Sequence, residues 1–329
     1  MDDNVRAYFG RVPFSQAFCS AYMKWIYFPF FDHHIANSEY TADELRSATQ
    51  GQLVTRGTWI RPMGVDLRHL SPTRRSAQRR RRLLENFSAA EDAVLLLYAG
   101  RLVPEKNLPL LFEVLKRLAN DDSRDYRLLV VGDGIQRELW GRKCERTVPG
   151  RAFFFGHIGD QNVLADLYAN SDIFVHPNPR EPFGIAPLEA MTSGLPLVAP
   201  NSGGITSYAN ADNAWLVNAD VDSFAAAVKA VAANPVLAAE RARRALATAH
   251  HYCWESTAAS FFELYKALKR HHDGTGPFPP PAFSSTPASA FQAGLMRGSA
   301  YLAKSAFQLC STAFGMTGGG GLRRVLGWR

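Results

Sequence analysis

Residues 178–204, NPREPFGIAPLEAMTSGLPLVAPNSGG, decide the fold of this chain. The apolar run at residues 172–176 predicts a buried strand, and a loop with two prolines and a glycine follows it. A short helix over residues 186–193 comes next, because Pro187 suits a first helical turn and Gly194 suits a helix end. A second apolar run begins at residue 195. The segment is therefore predicted to be strand, turn, helix and strand.

Two carboxylates lie in this segment, Glu181 in the loop and Glu189 in the helix, with seven residues between them. A helix N-terminus offers free N–H groups and a partial positive charge, so it attracts phosphate. Carboxylates beside such a site are suited to accept hydrogen bonds from hydroxyl groups, which sugars and ribose supply. The alternative is that Glu181 is a solvated loop residue and that Glu189 only interacts with the helix dipole.

The stretch from Glu181 to Ala199 resembles the E-x7-E motif of retaining glycosyltransferases of family 4, in a long match without gaps. That family has the GT-B fold, in which two Rossmann-like domains face each other across a cleft. The resemblance implies that Glu181 contacts the transferred sugar and that Glu189 contacts the donor ribose. It also implies contacts to the sugar and the diphosphate from the backbone amides of Gly184, Ile185, Ala186 and Leu188.

Strands and helices alternate from residue 93 onward. Residues 94–99 form a continuous apolar run, which is typical of a parallel strand buried on both faces. Five further strands are predicted, at residues 127–131, 151–155, 172–176, 195–199 and 214–217. The alternation predicts an α/β fold with a doubly wound parallel sheet, and it places ligands at the carboxyl ends of the strands.

Two cations follow the first of these strands, because Arg101 and Lys106 bracket the loop before the next helix. A pair of cations beside a helix start makes a site for a diphosphate. The family resemblance agrees, since G-R-x4-K stands at this place in the family and both cations hold the donor's phosphates there. The alternative is an ordinary basic loop.

The next two strand ends carry backbone features rather than charges. Gly132 opens a Gly-Asp-Gly turn, but Arg137 stands where a dinucleotide fingerprint needs its third glycine, so nicotinamide binding is not supported. This turn resembles the family's V-G-x-G turn. Ile158 lies in the loop that cups the nucleobase in the family. His176, at the end of the strand before Glu181, is either a core residue or a side chain facing the cleft.

Residues 1–60 resemble only the last third of the family's N-terminal domain. We therefore expect a partial N-terminal domain, and we expect the 329-residue chain to bind nucleotide diphosphate but to transfer sugar poorly. The aromatic stretch at residues 14–31 predicts one or two helices, and His33 and His34 are not expected to touch substrate. The predicted domains are the partial domain at 1–60, the nucleotide-sugar domain at 61–252, a closing helix at 253–272, and a linker and tail at 273–329.

The composition excludes some classes of protein. The four cysteines, scattered without a C-x-x-C pair, predict reduced thiols in a cytosolic chain rather than a disulfide frame or a zinc site. The sequence contains no run of 18 apolar residues, so no membrane-spanning helix is predicted.

The net charge of +7 favours anionic partners. The basic cluster at residues 74–82 predicts a solvated helix face, with contact to anionic lipid as the alternative. No nucleic acid is expected, since no aromatic platform accompanies the cluster.

The sequence as a whole predicts transfer of a sugar from a UDP- or GDP-sugar to a sugar or lipid acceptor, with retention of anomeric configuration. No metal or added cofactor is required, because no Asp-x-Asp motif is present and paired cations can neutralise the diphosphate. Glu181, Arg101 and Lys106 are the predicted catalytic residues. Two rivals remain: a nucleotide-binding fragment without turnover, and a nucleotide-sugar epimerase of the same fold, which the spacing of the two glutamates disfavours.

The Ala-rich stretch at residues 288–314 is predicted to pack on the domain, to be a disordered tail, or to be a helix lying on a membrane surface. If it lies on a membrane, the chain will co-sediment with anionic vesicles, and deletion of all residues after His272 will abolish this binding. Sedimentation that survives the deletion would reject the tail as the anchor and would direct attention to Arg79–Arg82.

Overall fold

The computed structural model describes residues 14–31, 33–49, 57–121 and 124–281. The predicted helix at residues 288–314 lies outside the described residues. The strands are β1 His34–Ala36, β2 Thr58–Ile60, β3 Val94–Ala99, β4 Tyr126–Val131, β5 Ala152–Gly156, β6 Ile173–Val175, β7 Leu197–Pro200 and β8 Trp215–Val217. The helices are α1 Ser15–Tyr22, α2 Glu39–Thr49, α3 Ala77–Asn86, α4 Leu108–Asp121, α5 Arg137–Thr147, α6 Gln161–Asn170, α7 Ile185–Thr192, α8 Val221–Ala233, α9 Pro235–His250 and α10 Trp254–His272.

Six strands form one parallel sheet in the order β5-β4-β3-β6-β7-β8. The chain runs outward from β3 to β5, returns to the middle of the sheet, and then runs outward in the opposite direction from β6 to β8. The strand order therefore reverses between β3 and β6. In open α/β sheets ligands bind in the crevice at such a reversal. The predicted doubly wound α/β fold is confirmed.

The central strand β3 is fully buried along its length, as the apolar run predicted. Its side chains alternate between two core layers, because successive residues of a strand point to opposite faces of the sheet. Leu96 and Tyr98 join the layer that includes residues of α4 and α8. Leu97 and Ala99 join the layer that includes residues of α6 and α7. Helices thus cover both faces of the sheet.

The helix α7, which carries Glu189, starts at Ile185, one residue earlier than predicted, and is bounded by glycines. At its C-terminal end Gly194 has a φ of +70°, a left-handed conformation. The Gly194 N–H donates to the Met191 carbonyl at 3.1 Å, and the Leu195 N–H donates to the Ala190 carbonyl at 2.9 Å. This pair of bonds is the Schellman arrangement, which satisfies the last carbonyls of a helix.

A smaller parallel sheet of β1 and β2 precedes the large one. Hydrogen bonds connect this region to the rest of the chain. The Ser38 hydroxyl donates to the Pro182 carbonyl at 2.5 Å, directly beside Glu181. The Arg61 guanidinium donates to the Ser260 carbonyl of α10 at 3.4 Å. The long last helix therefore contacts the chain that leaves the small sheet.

Aromatic rings also join the small sheet to the segment after α10. Trp59 of β2 packs edge-on against Phe278, with ring centroids 5.6 Å apart. His33 and His271 contact the same phenyl ring, at 5.9 and 5.0 Å. The first part of the predicted linker, residues 274–281, is irregular, and its Phe278 is packed in this cluster.

The basic cluster at residues 74–82 differs from the prediction of a solvated helix face. Four of its arginines form ion pairs with two aspartates on and just after α6. Asp166 accepts from Arg74 at 2.7 Å and from Arg79 at 3.1 Å. Asp172 pairs with the other two arginines, Arg75 at 3.2 Å and Arg80 at 2.8 Å. Arg81 and Arg82 are exposed on α3 as expected, and the paired Arg75 and Arg79 are about half exposed, so the prediction fails in the ion pairs rather than in exposure.

No single helix among the described residues is long and apolar enough to cross a membrane, and one pair, α8 with α9, bent by 103°, meets the requirement on length and composition alone.

Two glycine substitutions, one of them a control in another helix, test how the C-terminal end of α7 is fixed. Gly194→Ala will lower the free energy of unfolding by at least about 1–2 kcal/mol, the cost of placing an L residue in the left-handed region. A Cβ at this position would also lie 2.9 Å from the Cβ of Pro72. The control is Gly141→Ala inside α5, where a Cβ meets nothing within 4 Å. That change will raise stability by about 0.5–1 kcal/mol, because alanine favours a helix interior. Equal effects of the two substitutions in denaturant titrations would contradict this account.

Candidate active site

The candidate site lies where the strand order reverses. Lys106 ends a short three-ten turn, Pro104–Lys106, that follows β3. Glu181 stands in the loop that follows β6, the neighbour of β3 in the sheet. Because both strands are parallel, their carboxyl ends meet at one edge, and the two side chains touch there. The Lys106 ammonium donates to the Glu181 carboxylate at 2.7 Å.

Three nitrogen atoms surround one oxygen of Glu181. Besides Lys106, the Asn178 amide donates to the same oxygen, Oε2, at 3.1 Å. His176 Nε2 lies 3.3 Å from Oε2, close enough for an ion-pair contact but outside good hydrogen-bond geometry. Within the described residues none of the hydrogen bonds and ion pairs of Glu181 involves its other carboxylate oxygen, Oε1.

Glu181 is deeply buried, with 8% of its surface exposed. Burial alone would raise the pKa of its carboxyl group, because a low-dielectric environment disfavours the charge. The contacts with His176 and Lys106 outweigh burial and hold the pKa of Glu181 well below its usual range. The carboxylate therefore stays ionised at neutral pH, as an acceptor of hydrogen bonds must be.

The backbone around Glu181 is fixed by the turn that follows β7. The Gly204 N–H donates to the Glu181 carbonyl at 2.6 Å, and the Ser202 hydroxyl donates to the Pro179 carbonyl at 2.8 Å. A Cβ on Gly204 would overlap the carbonyl oxygen of Pro182. Only glycine allows this close approach. The Ser-Gly-Gly turn thus packs closely against the loop that carries the carboxylate.

The N-terminus of α7 lies directly after this loop. Gly184 precedes the helix, and its carbonyl accepts a 2.6 Å hydrogen bond from the buried Tyr208 hydroxyl. The amides of Ile185 and Ala186 belong to the first helical turn, where N–H groups need no partner inside the helix. Leu188 is fully buried in the core layer that covers this face of the sheet.

Glu189, in the second turn of α7, has different surroundings. The Tyr168 hydroxyl of α6 donates to its carboxylate at 2.7 Å. Burial raises the pKa of Glu189, the hydrogen bond from Tyr168 lowers it, and the nearby charge of Asp66 raises it, with a net shift upward. The surroundings of the two glutamates therefore have opposite effects. Those of Glu181 stabilise the ionised carboxylate, whereas those of Glu189 disfavour it.

The remaining predicted residues surround this centre. Arg101 is 68% exposed and pairs with Glu105 at 3.3 Å, so its guanidinium is not part of the buried network around Lys106. Gly132 lies in the turn after β4, and a Cβ there would overlap the carbonyl oxygen of Gly100. Ile158 is partly buried against the core layer on the α7 side of the sheet.

Sequence reasoning left His176 undecided and missed two partners of the glutamates. Asn178 stands three residues before Glu181, and this spacing in a proline-rich loop was an available signal. Tyr168 gave no such signal, because it precedes Glu189 by 21 residues and reaches it only through the packing of α6 on α7. The described residues contain no group of three or more His, Cys, Asp or Glu side chains that could hold a metal ion.

The sheet order and the position of this centre define a Rossmann-like α/β domain. Residues 80–249, just over half of the 329, match the model of the family described as glycosyl transferases group 1, and the chain belongs to that family. The family predicted from the E-x7-E motif is thereby confirmed.

Several characterised proteins are similar to this chain. The GDP-mannose-dependent alpha-(1-6)-phosphatidylinositol dimannoside mannosyltransferase of Mycobacterium tuberculosis is 32% identical over 210 residues, 63% of this chain and 51% of that protein. The D-inositol 3-phosphate glycosyltransferase of Geodermatophilus obscurus is 34% identical over 251 residues, 72% of this chain and 52% of that protein. The chain thus spans about half the length of the curated relatives it matches.

Solved structures show the same architecture. The sucrose-phosphate synthase from Thermosynechococcus elongatus aligns with a TM-score of 0.63 at 25% identity, covering 73% of this chain and 59% of that one. The Anabaena HepE structure in complex with UDP and glucose aligns with a TM-score of 0.61 at 21% identity, covering 71% and 63%. These neighbours confirm the predicted GT-B type fold.

The opposite states of the two glutamates predict opposite pH dependences of stability. The lowered pKa of Glu181 gives stability that is present above the unfolded value of about 4 and is lost as the pH falls. Glu181→Gln will therefore cost about 1–3 kcal/mol at pH 7, the scale of a hydrogen bond to a charged group, and less below pH 4. The raised pKa of Glu189 acts the other way, since its ionisation opposes folding as the pH rises. Glu189→Gln will therefore raise the free energy of unfolding relative to the parent once the pH exceeds the unfolded value of about 4, where the parent carboxyl must ionise.

Thermal melts from pH 3 to pH 8 measure both effects, with each variant serving as the control for the other. Parallel pH profiles for the two variants would contradict the assignment of opposite shifts.

Proposed function

We propose that this chain carries the donor site for transfer of a sugar from a UDP- or GDP-sugar to an acceptor, with retention of anomeric configuration. One observation carries the proposal: the buried pair of Lys106 and Glu181 lies at the reversal of the strand order, directly before the N-terminus of α7. This arrangement combines a cation and free amides, which suit a diphosphate, with a carboxylate, which suits sugar hydroxyls.

The diphosphate is the leaving group, so it gains negative charge as the glycosidic bond of the donor breaks. Lys106 would bind a phosphate oxygen through N–H groups that it does not give to Glu181, since an ammonium has three donors. The amides of Ile185 and Ala186 and the exposed Arg101 would add further stabilisation. Donors that are already in place when charge develops usually give the largest catalytic effect.

The two carboxylates would bind the two ends of the donor. Glu181 would accept hydrogen bonds from hydroxyls of the transferred sugar, and Glu189 would accept one from the ribose. Gly132 and Ile158 would lie against the nucleotide. The proposal needs no metal ion, because Lys106, Arg101 and the helix N-terminus supply the positive charge.

The relatives support the class of donor and acceptor. The mannosyltransferase from Mycobacterium tuberculosis is named for GDP-mannose and for a phosphatidylinositol dimannoside. A sugar-nucleotide donor and a sugar or lipid acceptor at the cytoplasmic membrane face are therefore proposed for the whole protein. A panel of UDP- and GDP-sugars, incubated with inositol, sugar and lipid acceptors, tests this assignment. NMR of the product's anomeric proton tests retention. Release of free sugar without an acceptor-linked product, or no multiple turnover at all, would overturn transfer by this chain.

A pair of lysine variants tests the role of Lys106. Lys106→Ala will weaken binding of nucleotide diphosphate by about 1–3 kcal/mol, because it removes a charge-assisted hydrogen bond. Lys143→Ala is the matched control, since Lys143 also pairs with a glutamate, Glu113 at 3.3 Å, but lies on α5. Its affinity will equal that of the parent. Calorimetry with UDP and GDP gives both values, and equal losses would reject the phosphate site.

Removal of Glu189 tests the ribose contact. Glu189→Ala will leave a folded protein whose affinity for the nucleotide sugar is weaker by about 1–3 kcal/mol, the scale of an unmet hydrogen bond to a charged group. Of the 2′- and 3′-deoxyribose nucleotides, the one that lacks the contacted hydroxyl will bind the parent and the variant equally. Unchanged affinity of the variant for the normal nucleotide sugar, measured by calorimetry, would reject the ribose assignment.

A further inference from the structure

The carboxylate of Glu181 is not held symmetrically. All of its contacts within the described residues converge on Oε2: Lys106 Nζ at 2.7 Å, Asn178 Nδ2 at 3.1 Å and His176 Nε2 at 3.3 Å. A carboxylate oxygen accepts about two hydrogen bonds comfortably, and those from Lys106 and Asn178 already fill the capacity of Oε2. A ligand hydroxyl that binds Glu181 must therefore use Oε1.

The contact of His176 with Glu181 needs its own explanation, because Lys106 and Asn178 already form hydrogen bonds to the same oxygen. His176 is 3% exposed, and it directly follows β6 at the carboxyl end of this central strand. Neither ring nitrogen of His176 has a hydrogen-bond partner among the described residues, although both atoms are buried, and Nε2 makes only the 3.3 Å contact with Glu181. A buried polar atom without a partner costs free energy, so a purely structural residue here would be better apolar. The polar contact that the ring does make is the one to Glu181.

We propose that His176 is a positioning residue, which holds Oε2 of Glu181 from the sheet side and thereby aims Oε1 at a hydroxyl of the donor sugar. The inference rests on the proposed function, since it names how the sugar contact is oriented. Lys106 alone cannot fix the carboxylate, because a flexible ammonium follows its partner. The histidine ring is rigid, and its backbone N–H is bonded to the Val198 carbonyl at 3.0 Å, inside the sheet.

Orientation by His176 predicts an effect on the sugar and not on the nucleotide. His176→Phe keeps a buried ring and removes the N–H. It will weaken binding of the matching nucleotide sugar by about tenfold, the scale of one lost hydrogen bond to a charged group, and binding of the nucleotide diphosphate by less than about twofold. His176→Gln will restore most of the loss, because its amide N–H reaches about as far as Nε2. His33→Phe, which replaces a partly buried histidine outside the site, is the control and will change neither affinity.

A double-mutant cycle separates positioning from general damage. In a Glu181→Ala background His176→Phe will have no further effect on the preference for nucleotide sugar over nucleotide diphosphate. A loss that persists in this background, or an equal loss for both ligands, would overturn the proposal. Thermal melts of every variant identify any that do not fold, and for those the comparison rests on His176→Gln.

A second measurement does not depend on any ligand. In ¹⁵N NMR of the full chain, the proposal requires a proton on His176 Nε2, and the resonance of this nitrogen will move when Glu181 is changed to Gln. A proton on Nδ1 alone, or a resonance that Glu181→Gln leaves unchanged, would overturn the inference. If no UDP- or GDP-sugar binds the parent more tightly than its nucleotide, the proposed function fails instead, and the NMR result still decides the role of His176.

Discussion

The ion pair between Lys106 and Glu181 depends on the sheet order and in turn fixes the site. Its partners follow β3 and β6, which are 79 residues apart in sequence at their first residues but adjacent in the sheet. Taking two charges out of water is costly, and a buried pair is favourable only when further hydrogen bonds satisfy it. Asn178 and His176 supply those contacts on the carboxylate side. The sheet topology therefore brings the two charges together, and local polar groups stabilise the buried pair.

The loop around Glu181 has little freedom, and the reason lies in the backbone rather than in the side chains. The turn after β7 approaches so closely that a Cβ at Gly204 would overlap Pro182. From the other side the Ser38 hydroxyl bonds to the same carbonyl group. Segments distant in sequence thus hold the backbone of this short loop from both sides. Such fixed geometry is what electrostatic stabilisation of a leaving group requires.

Local patterns in the sequence were enough to predict most of this fold. The apolar run at β3, and the glycine and proline that end α7, determine structure through backbone geometry and burial alone, so no tertiary information was needed. The same reasoning failed where a side chain meets a partner from another element. The arginines at residues 74–80 looked solvated because Asp166 and Asp172 are distant in sequence. Tyr168 was missed for the same reason, and only the three-dimensional packing shows it beside Glu189.

The two glutamates of one short motif have become chemically different groups. Glu181 has a surplus of donors around Oε2, which keeps the carboxylate charged but leaves only one oxygen for a ligand. Glu189 has one donor, Tyr168, and a nearby carboxylate, Asp66, so its charge is under-stabilised. A hydroxyl that donates to Glu189 would therefore stabilise a carboxylate charge that burial disfavours in the free protein. A hydroxyl that donates to Glu181 would meet a charge that is already stabilised, so the strength of that hydrogen bond would depend on how Oε1 is oriented. The seven-residue spacing places one carboxylate in a rigid loop and the other on a helix, and this difference in support suits the motif to the proposed contacts with two unlike parts of a donor.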